Sequence, residues 1–450
     1  MPTLFEVSAE INTLRKNQQH KEALEFFKRH HNEFSKKDLA GNEWIVSNVL
    51  SCLRKTGQLD AGFKFLEWLE YKVDKDSPAL VRNTYVWLLY DKLKELKNGS
   101  PGTDSEWLFA KAKDILPYLD LKNVISYNAF SKVFFMVIEI ETKIKNNTNW
   151  QFVDSFLDIA TPENFSTECK TITVTEQGRD KDIEQASDRE KWYSEKTKAL
   201  QNLEKYEQCL RMSETALKSI QKYHYDNDLF FKRRIALCKG YLGQKDLAVE
   251  DLKNILSRRK EWYIQWEIAT FYFELKKYDD ALKYAVDAIL NFGDLEKKWE
   301  LVFLLGKILS AQVKTEDARK HVLFAYQIRT EKKWKIPQEL QAEIEKLQID
   351  TSGPLSCEQM HKELKGYWRS IKRTDSPKLR GKIKKILQNN IAGFICGENG
   401  KDYYFKFKDL HVKKEDIEIG LPVEFLAEKS YDKKKERESE QAIDVHILKG

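Results

Sequence analysis

The chain has 450 residues, 41% hydrophobic and 33% charged, and its 77 Lys+Arg against 71 Asp+Glu give a formal net charge of +6. That length has room for two or three domains with real cores. No apolar stretch approaches the roughly 20 residues needed to span a bilayer, and the N-terminus lacks a charged region ahead of an apolar one, so a cytoplasmic protein without a membrane partner is predicted.

Six cysteines (Cys52, Cys169, Cys209, Cys238, Cys357 and Cys396) are scattered without a C-x-x-C pair. This argues against a disulfide framework and a zinc site and suits a reducing compartment. From the N-terminus, Glu22-Ala23-Leu24-Glu25-Phe26-Phe27 reads as a second helix of a pair. Gly57-Gln58-Leu59-Asp60-Ala61 reads as a turn and the entry to another. Stretches 66–96 and 124–145 are helical by pattern, and Trp107–Leu116 and Trp192–Ala216 read as further helices. Residues 161–190 interrupt them. Pro162, the alternating Thr171-Ile172-Thr173-Val174-Thr175 and Gly178 predict a short strand or exposed hairpin, a surface insertion or a functional loop.

Between 229 and 330 small residues recur at fixed offsets. Ala236 with Ala248, Ala269 with Ala281, and Gly306 with Ala318 are each twelve apart, and Ala288 and Ala325 lie seven beyond Ala281 and Ala318. Small side chains at these points let paired helices approach closely, while Tyr272 and Leu305 fill the space between pairs. The pattern resembles the tetratricopeptide repeat, whose period is about 34 residues. The resemblance implies a helical-hairpin solenoid, divergent over 1–160 and clearer over 191–350, with a protein or peptide partner in its concave face. The array ends near Asp350-Thr351-Ser352-Gly353-Pro354. Ser356 with Gln359 then makes a capping box for a basic amphipathic helix over 356–373, whose apolar stripe is Met360, Leu364, Tyr367 and Ile371. Thr374-Asp375-Ser376-Pro377 breaks it. Residues 360–390 hold ten Lys/Arg against Glu363 and Asp375, a net of +8, whereas residues 1–359 balance to zero. An anionic polymer would meet the chain here.

After residue 379 the period changes from helical to alternating. Gly381 to Leu387, Gly393-Phe394-Ile395, Asp402 to Phe407, Gly420-Leu421-Pro422-Val423-Glu424-Phe425 and Ala442-Ile443-Asp444-Val445-His446-Ile447 read as strands. Alternation places Tyr404 and Lys406 on one face and Tyr403 and Phe405 on the other. The segment 379–450 resembles the cold-shock domain family, small OB-like barrels that bind single-stranded RNA or DNA. That family's first strand carries a lysine–tryptophan–phenylalanine run, here Lys384-Lys385-Ile386. Its second motif stands as Asn390-Ile391-Ala392-Gly393-Phe394-Ile395 and its third as Asp402-Tyr403-Tyr404-Phe405-Lys406-Phe407. One lysine and two aromatics match; Lys385, Ile386 and Ala392 stand where the family has aromatics. The resemblance implies that Phe394 and Tyr404 stack bases, with Phe407 at the edge, and that Lys382, Lys384, Lys385 and Lys406 meet phosphates, in a grip more electrostatic than stacked. No P-loop, dinucleotide fingerprint, zinc-protease or nucleophile-elbow motif occurs. A mainly α chain with a C-terminal barrel is therefore expected. It has no enzymatic role, metal or cofactor, and it binds single-stranded nucleic acid, with RNA favoured, together with a protein. A protein-interaction scaffold or regulatory subunit with a degenerate barrel is the alternative.

Overall fold

A repeated turn joins the helices in pairs. The computed structural model describes residues 2–99, 104–145, 147–176, 179–353, 356–375, 378–387, 391–410, 417–432 and 437–448. Gly178, Pro354, the Ser376-Pro377 break and Asn390 lie outside them. Six helical hairpins recur: Leu4–Lys16 with His20–His30, Glu43–Lys55 with Leu59–Trp68, Asp188–Asn202 with Tyr206–Ser219, Asn227–Tyr241 with Lys245–Arg258, Trp262–Glu274 with Tyr278–Leu290, and Trp299–Ala311 with Thr315–Glu331. In each, the residue two before the second helix is left-handed: Gln18, Gly57, Glu204, Gly243, Lys276 and Val313, with φ from 57° to 94°. The N–H of the next residue reaches back five positions, as from Lys277 to Tyr272 and from Lys314 to Leu309, both 2.9 Å. This satisfies carbonyls that the end of the first helix would leave open. Hairpins repeated in this way make a tetratricopeptide-like solenoid.

The chain divides into two units, residues 1–238 and 239–450. In the first, Val124–Glu139, Trp150–Leu157 and their neighbours close a core around Phe130, Phe134, Phe156 and Phe165. The insertion is an antiparallel pair, β1 (Thr171–Glu176) with β2 (Arg179–Glu184). In the second unit Ala248, Ala269, Ala281, Ala288, Ala318 and Ala325 are fully buried. A Cβ on Gly306 would stand 2.7 Å from Val322 Cγ2, so only glycine allows that helix contact. No helix among the described residues is long and apolar enough to cross a membrane.

The helix Cys357–Asp375 packs on Tyr278–Leu290 and Thr315–Glu331. Its capping box is present: the Gln359 N–H donates to Ser356 Oγ at 3.3 Å, and the Ser356 N–H donates to Gln359 Oε1 at 3.1 Å. Met360, Leu364 and fully buried Trp368 form the docked stripe. Tyr367 lies at its edge, its hydroxyl 2.9 Å from Asp317 Oδ2. The basic flank of this helix is partly neutralised, with Lys372 3.1 Å from Asp287.

The barrel comprises β3 (Lys378–Ile386), β4 (Ala392–Gly397), β5 (Asp402–Lys406), β6 (Pro422–Asp432) and β7 (Arg437–Ile447). It closes in the order β3-β4-β5-β7-β6, with β5 parallel to β7 and β3 paired to both β4 and β6. This is an OB-like arrangement. Ile383, Ile395, Tyr403, Phe405, Val423, Phe425 and Val445 fill the interior. The buried Tyr403 hydroxyl accepts from Asn399 Nδ2 at 2.7 Å. A Cβ on Gly393 would sit 2.5 Å from the Lys385 carbonyl and 2.6 Å from the Phe405 ring, so tight closure here requires glycine.

Candidate nucleic-acid interface

β3 carries cations on its outward side because alternate residues point the same way. Lys378, Arg380 and Lys382 are exposed, while Gly381 and Ile383 face in. A register shift between Ile383 and Lys385 then breaks the alternation, so Lys384 and Lys385 are both exposed. The same shift aligns Lys385 with Phe394 on β4, and Phe394 is in register with Tyr404 on β5. Lys385, Phe394 and Tyr404 therefore form one lateral row across three strands, spanning about 10 Å at the usual strand spacing.

Both aromatic side chains are half-exposed, with ring centroids 5.6 Å apart at 66°. The two rings meet edge to face. Beside this row, Lys382, Cys396 and Asp402 form the next one. Lys384 Nζ donates to Asp402 Oδ2 at 2.6 Å, and that hydrogen bond raises the lysine pKa. On the other side Lys406 is exposed and stands opposite buried Ala392. Lys378 is taken by Glu424 at 2.7 Å and Lys401 by Glu440 at 3.3 Å. Among the described residues, Lys382, Lys385 and Lys406 form no ion pair.

Five of the seven residues singled out from the sequence thus gather on one face: Lys382, Lys385, Phe394, Tyr404 and Lys406. Lys384 joins them already engaged by Asp402. Phe407 stands differently: its half-buried ring stacks on core Phe405, with centroids 5.9 Å apart at 14°, and packs against the barrel interior. Arg380, exposed two residues before Lys382, lies on the same outward side and extends the basic stripe. Counting back by two from Lys382 would have found it.

No family model matches this chain, and no curated protein does. Solved structures similar to it include BtubC from P. vanneervenii, with TM-score 0.35 and 14% identity, covering 53% of this chain and 95% of that one. PilF of Pseudomonas aeruginosa has TM-score 0.34 and 15% identity, covering 58% and 97%. YrrB, described as a TPR protein with an unusual peptide-binding site, has TM-score 0.30 and 15% identity, covering 53% and 97%.

Proposed function

We propose that the barrel binds single-stranded nucleic acid, RNA in the first instance, and that the helical repeats bind a protein, making the chain a non-enzymatic adaptor. The observation that carries this reading is the row Lys385–Phe394–Tyr404 flanked by Lys382 and Lys406. Two ring faces and three cations without ion pairs lie within the span of two or three nucleotides, the combination that single strands need. The cold-shock resemblance of 379–450 supports the same reading, since Phe394 and Tyr404 occupy positions where that family stacks bases. The net charge of +8 over 360–390 adds sequence-independent attraction.

For the protein partner, the N-terminal unit offers a cleft of about 610 Å³ lined by Phe63, Tyr71, Tyr85, Trp107 and Tyr118. Glu67, Glu70, Asp74, Asp76 and Asp114 outnumber Lys72, Lys75 and Lys111 around it, which suits a basic peptide segment. A second reading, in which the barrel docks a protein, draws on the pairing of Lys384 with Asp402 and on the edge contact that Phe394 and Tyr404 already share.

Fluorescence anisotropy of labelled oligo-U and mixed-sequence strands with the full chain, at two salt concentrations, separates the two readings. Under the first, binding is sequence-tolerant and salt-sensitive, and Lys382→Ala with Lys385→Ala and Lys406→Ala removes most of it. Equal binding by that triple variant and the unaltered chain would transfer the barrel to the protein-docking reading.

A further inference from the structure

The β1–β2 insertion places a thiol and a carboxylate beside a buried imidazole. Cys169 lies two residues before Thr171, and Glu184 is the register partner of Thr171. The Gln185 N–H donates to the Lys170 carbonyl at 2.8 Å, carrying the pairing past the strand ends. Cys169 Sγ, a Glu184 carboxylate oxygen and a ring nitrogen of His224 all lie within 4.8 Å of one another.

His224 supplies the second, independent observation. Its side chain is 7% exposed. Nδ1 lies 2.9 Å from Glu190 Oε2, while Nε2 is buried without a hydrogen-bond partner. Glu190 is fully buried and also accepts from the His224 backbone N–H and from Asn227 Nδ2, both at 2.8 Å. With both Glu190 oxygens accepting, the proton belongs on Nδ1 and the Nε2 lone pair faces the thiol and Glu184, whose Oε1 is 3.9 Å away. A carboxylate behind a histidine with its other nitrogen free is the outer-shell arrangement of a metal-binding imidazole.

We propose that Cys169, Glu184 and His224 hold a divalent transition-metal ion of the zinc class, with Glu190 as the positioning residue. The donor set of one thiolate, one imidazole and one carboxylate is what a borderline-soft ion takes. At ordinary zinc–ligand lengths the three donor atoms stand about 3.4–3.6 Å apart in a tetrahedron, so no pair of donors, all within 4.8 Å of one another, closes by more than roughly 1.4 Å on binding. Lys222 already pairs with Glu184 Oε2, so Oε1, on the His224 side, is the ligand oxygen; the thiolate and this carboxylate are the two anionic ligands, and the fourth position is left to water or an outside donor. The ion staples the insertion to the loop ahead of Asn227–Tyr241. The cysteine spacing hid this site, because its ligands are 15 and 40 residues apart and belong to different elements.

Tag-free full-length protein, stripped of metal, is titrated with Zn²⁺ against a chromophoric chelator and with Co²⁺ in a spectrophotometer. The expected result is one ion per chain and a near-ultraviolet thiolate-to-cobalt charge-transfer band. Cys169→Ser abolishes that band and weakens Zn²⁺ binding about tenfold or more, while Cys357→Ser leaves both unchanged. Glu190→Gln weakens binding by about 10–100-fold with the band retained. Zn²⁺ raises the Tm of the unaltered chain but not of Cys169→Ser. The half-exposed Cys169 can be replaced without opening the core, so loss of the fold does not mask the answer. No Zn²⁺ uptake at micromolar free metal, or equal uptake by Cys169→Ser, would overturn the site.

Discussion

Tyr404 owes its position to two separate requirements. Alternation along β5 drives Tyr403 and Phe405 into the barrel and leaves Tyr404 outside, while register with β4 sets it beside Phe394. The alternation was legible in the sequence. The row with Lys385 was not, because it depends on a register shift between β3 and β4 that no single residue of β3 announces. The place of Phe407 was equally hidden, since its ring turns back on Phe405 just after the strand ends. If these rings stack bases, removing either side chain costs roughly 1–3 kcal/mol per base. Phe394→Ala or Tyr404→Ala is then expected to raise the Kd for oligo-U by about five- to a hundred-fold in an anisotropy titration. Lys385→Ala acts through charge instead, lowering the log–log salt slope by about 0.7. Identical titrations for the unaltered chain and the Phe394→Ala/Tyr404→Ala double variant would assign these rings to packing alone.

Among the helices, small-residue spacing identified the repeats but not their turns. Four of the six hairpin turns place Gln18, Glu204, Lys276 or Val313, and not glycine, in the left-handed region, so no glycine signal marks them. Val313 is the most costly of these, being β-branched at φ 62° and 84% exposed. A left-handed conformation costs an L-residue roughly 1–2 kcal/mol, and glycine returns part of that as unfolded-state entropy. Val313→Gly is expected to stabilise the chain by about 1 kcal/mol, read as a higher denaturant midpoint at unchanged m-value. Gly306→Ala should do the opposite, by roughly 1–3 kcal/mol, since its methyl meets Val322. The docking of Cys357–Asp375 adds a pH dependence. Fully buried Trp368, outside the apolar stripe expected from the sequence, donates its indole N–H to His321 Nε2 at 2.8 Å. His321 Nδ1 donates to the Asp317 carbonyl at 2.6 Å. Burial holds this imidazole down at about 4, with Lys320 opposing its charge and Asp317 favouring it. The unfolded histidine, near 6.5, takes up a proton that the folded one refuses, so stability is full above about pH 6.5 and falls on acidification toward pH 4. Between about pH 7.5 and about pH 5.5 this one group removes on the order of 1.4 kcal/mol. Denaturant titrations at those two pH values should show His321→Gln losing that part of the slope.

For the whole molecule, the placement of charge matters more than its amount. A net of +6 over 450 residues is unremarkable, yet residues 1–359 sum to zero and residues 360–390 hold a net of +8. The repeat spacing of 229–330 and the change of period were legible because each element carries its own pattern, whereas the breaks at 69–78 and 203–205, inside the stretches 66–96 and Trp192–Ala216 expected to be helical, were not. The metal-class cluster was not, because Cys169, Glu184 and His224 converge only through tertiary structure. Part of the basic excess is engaged internally, on Asp287, Asp402 and Glu424; among the described residues Arg380, Lys382 and Lys385 stay exposed on β3, with Lys406 beside them on β5. If nucleic acid binds where that charge lies, a chain ending at residue 375 should lose single-strand binding while keeping any protein partner of the repeats. A pull-down from nuclease-treated lysate, compared with anisotropy on the same two chains, checks both halves. The truncated chain should recover the same protein bands as the full chain and give no anisotropy change with oligo-U at moderate salt. Retained oligo-U binding by the truncated chain would move the nucleic-acid surface off the barrel. Loss of the protein bands would move the partner onto it.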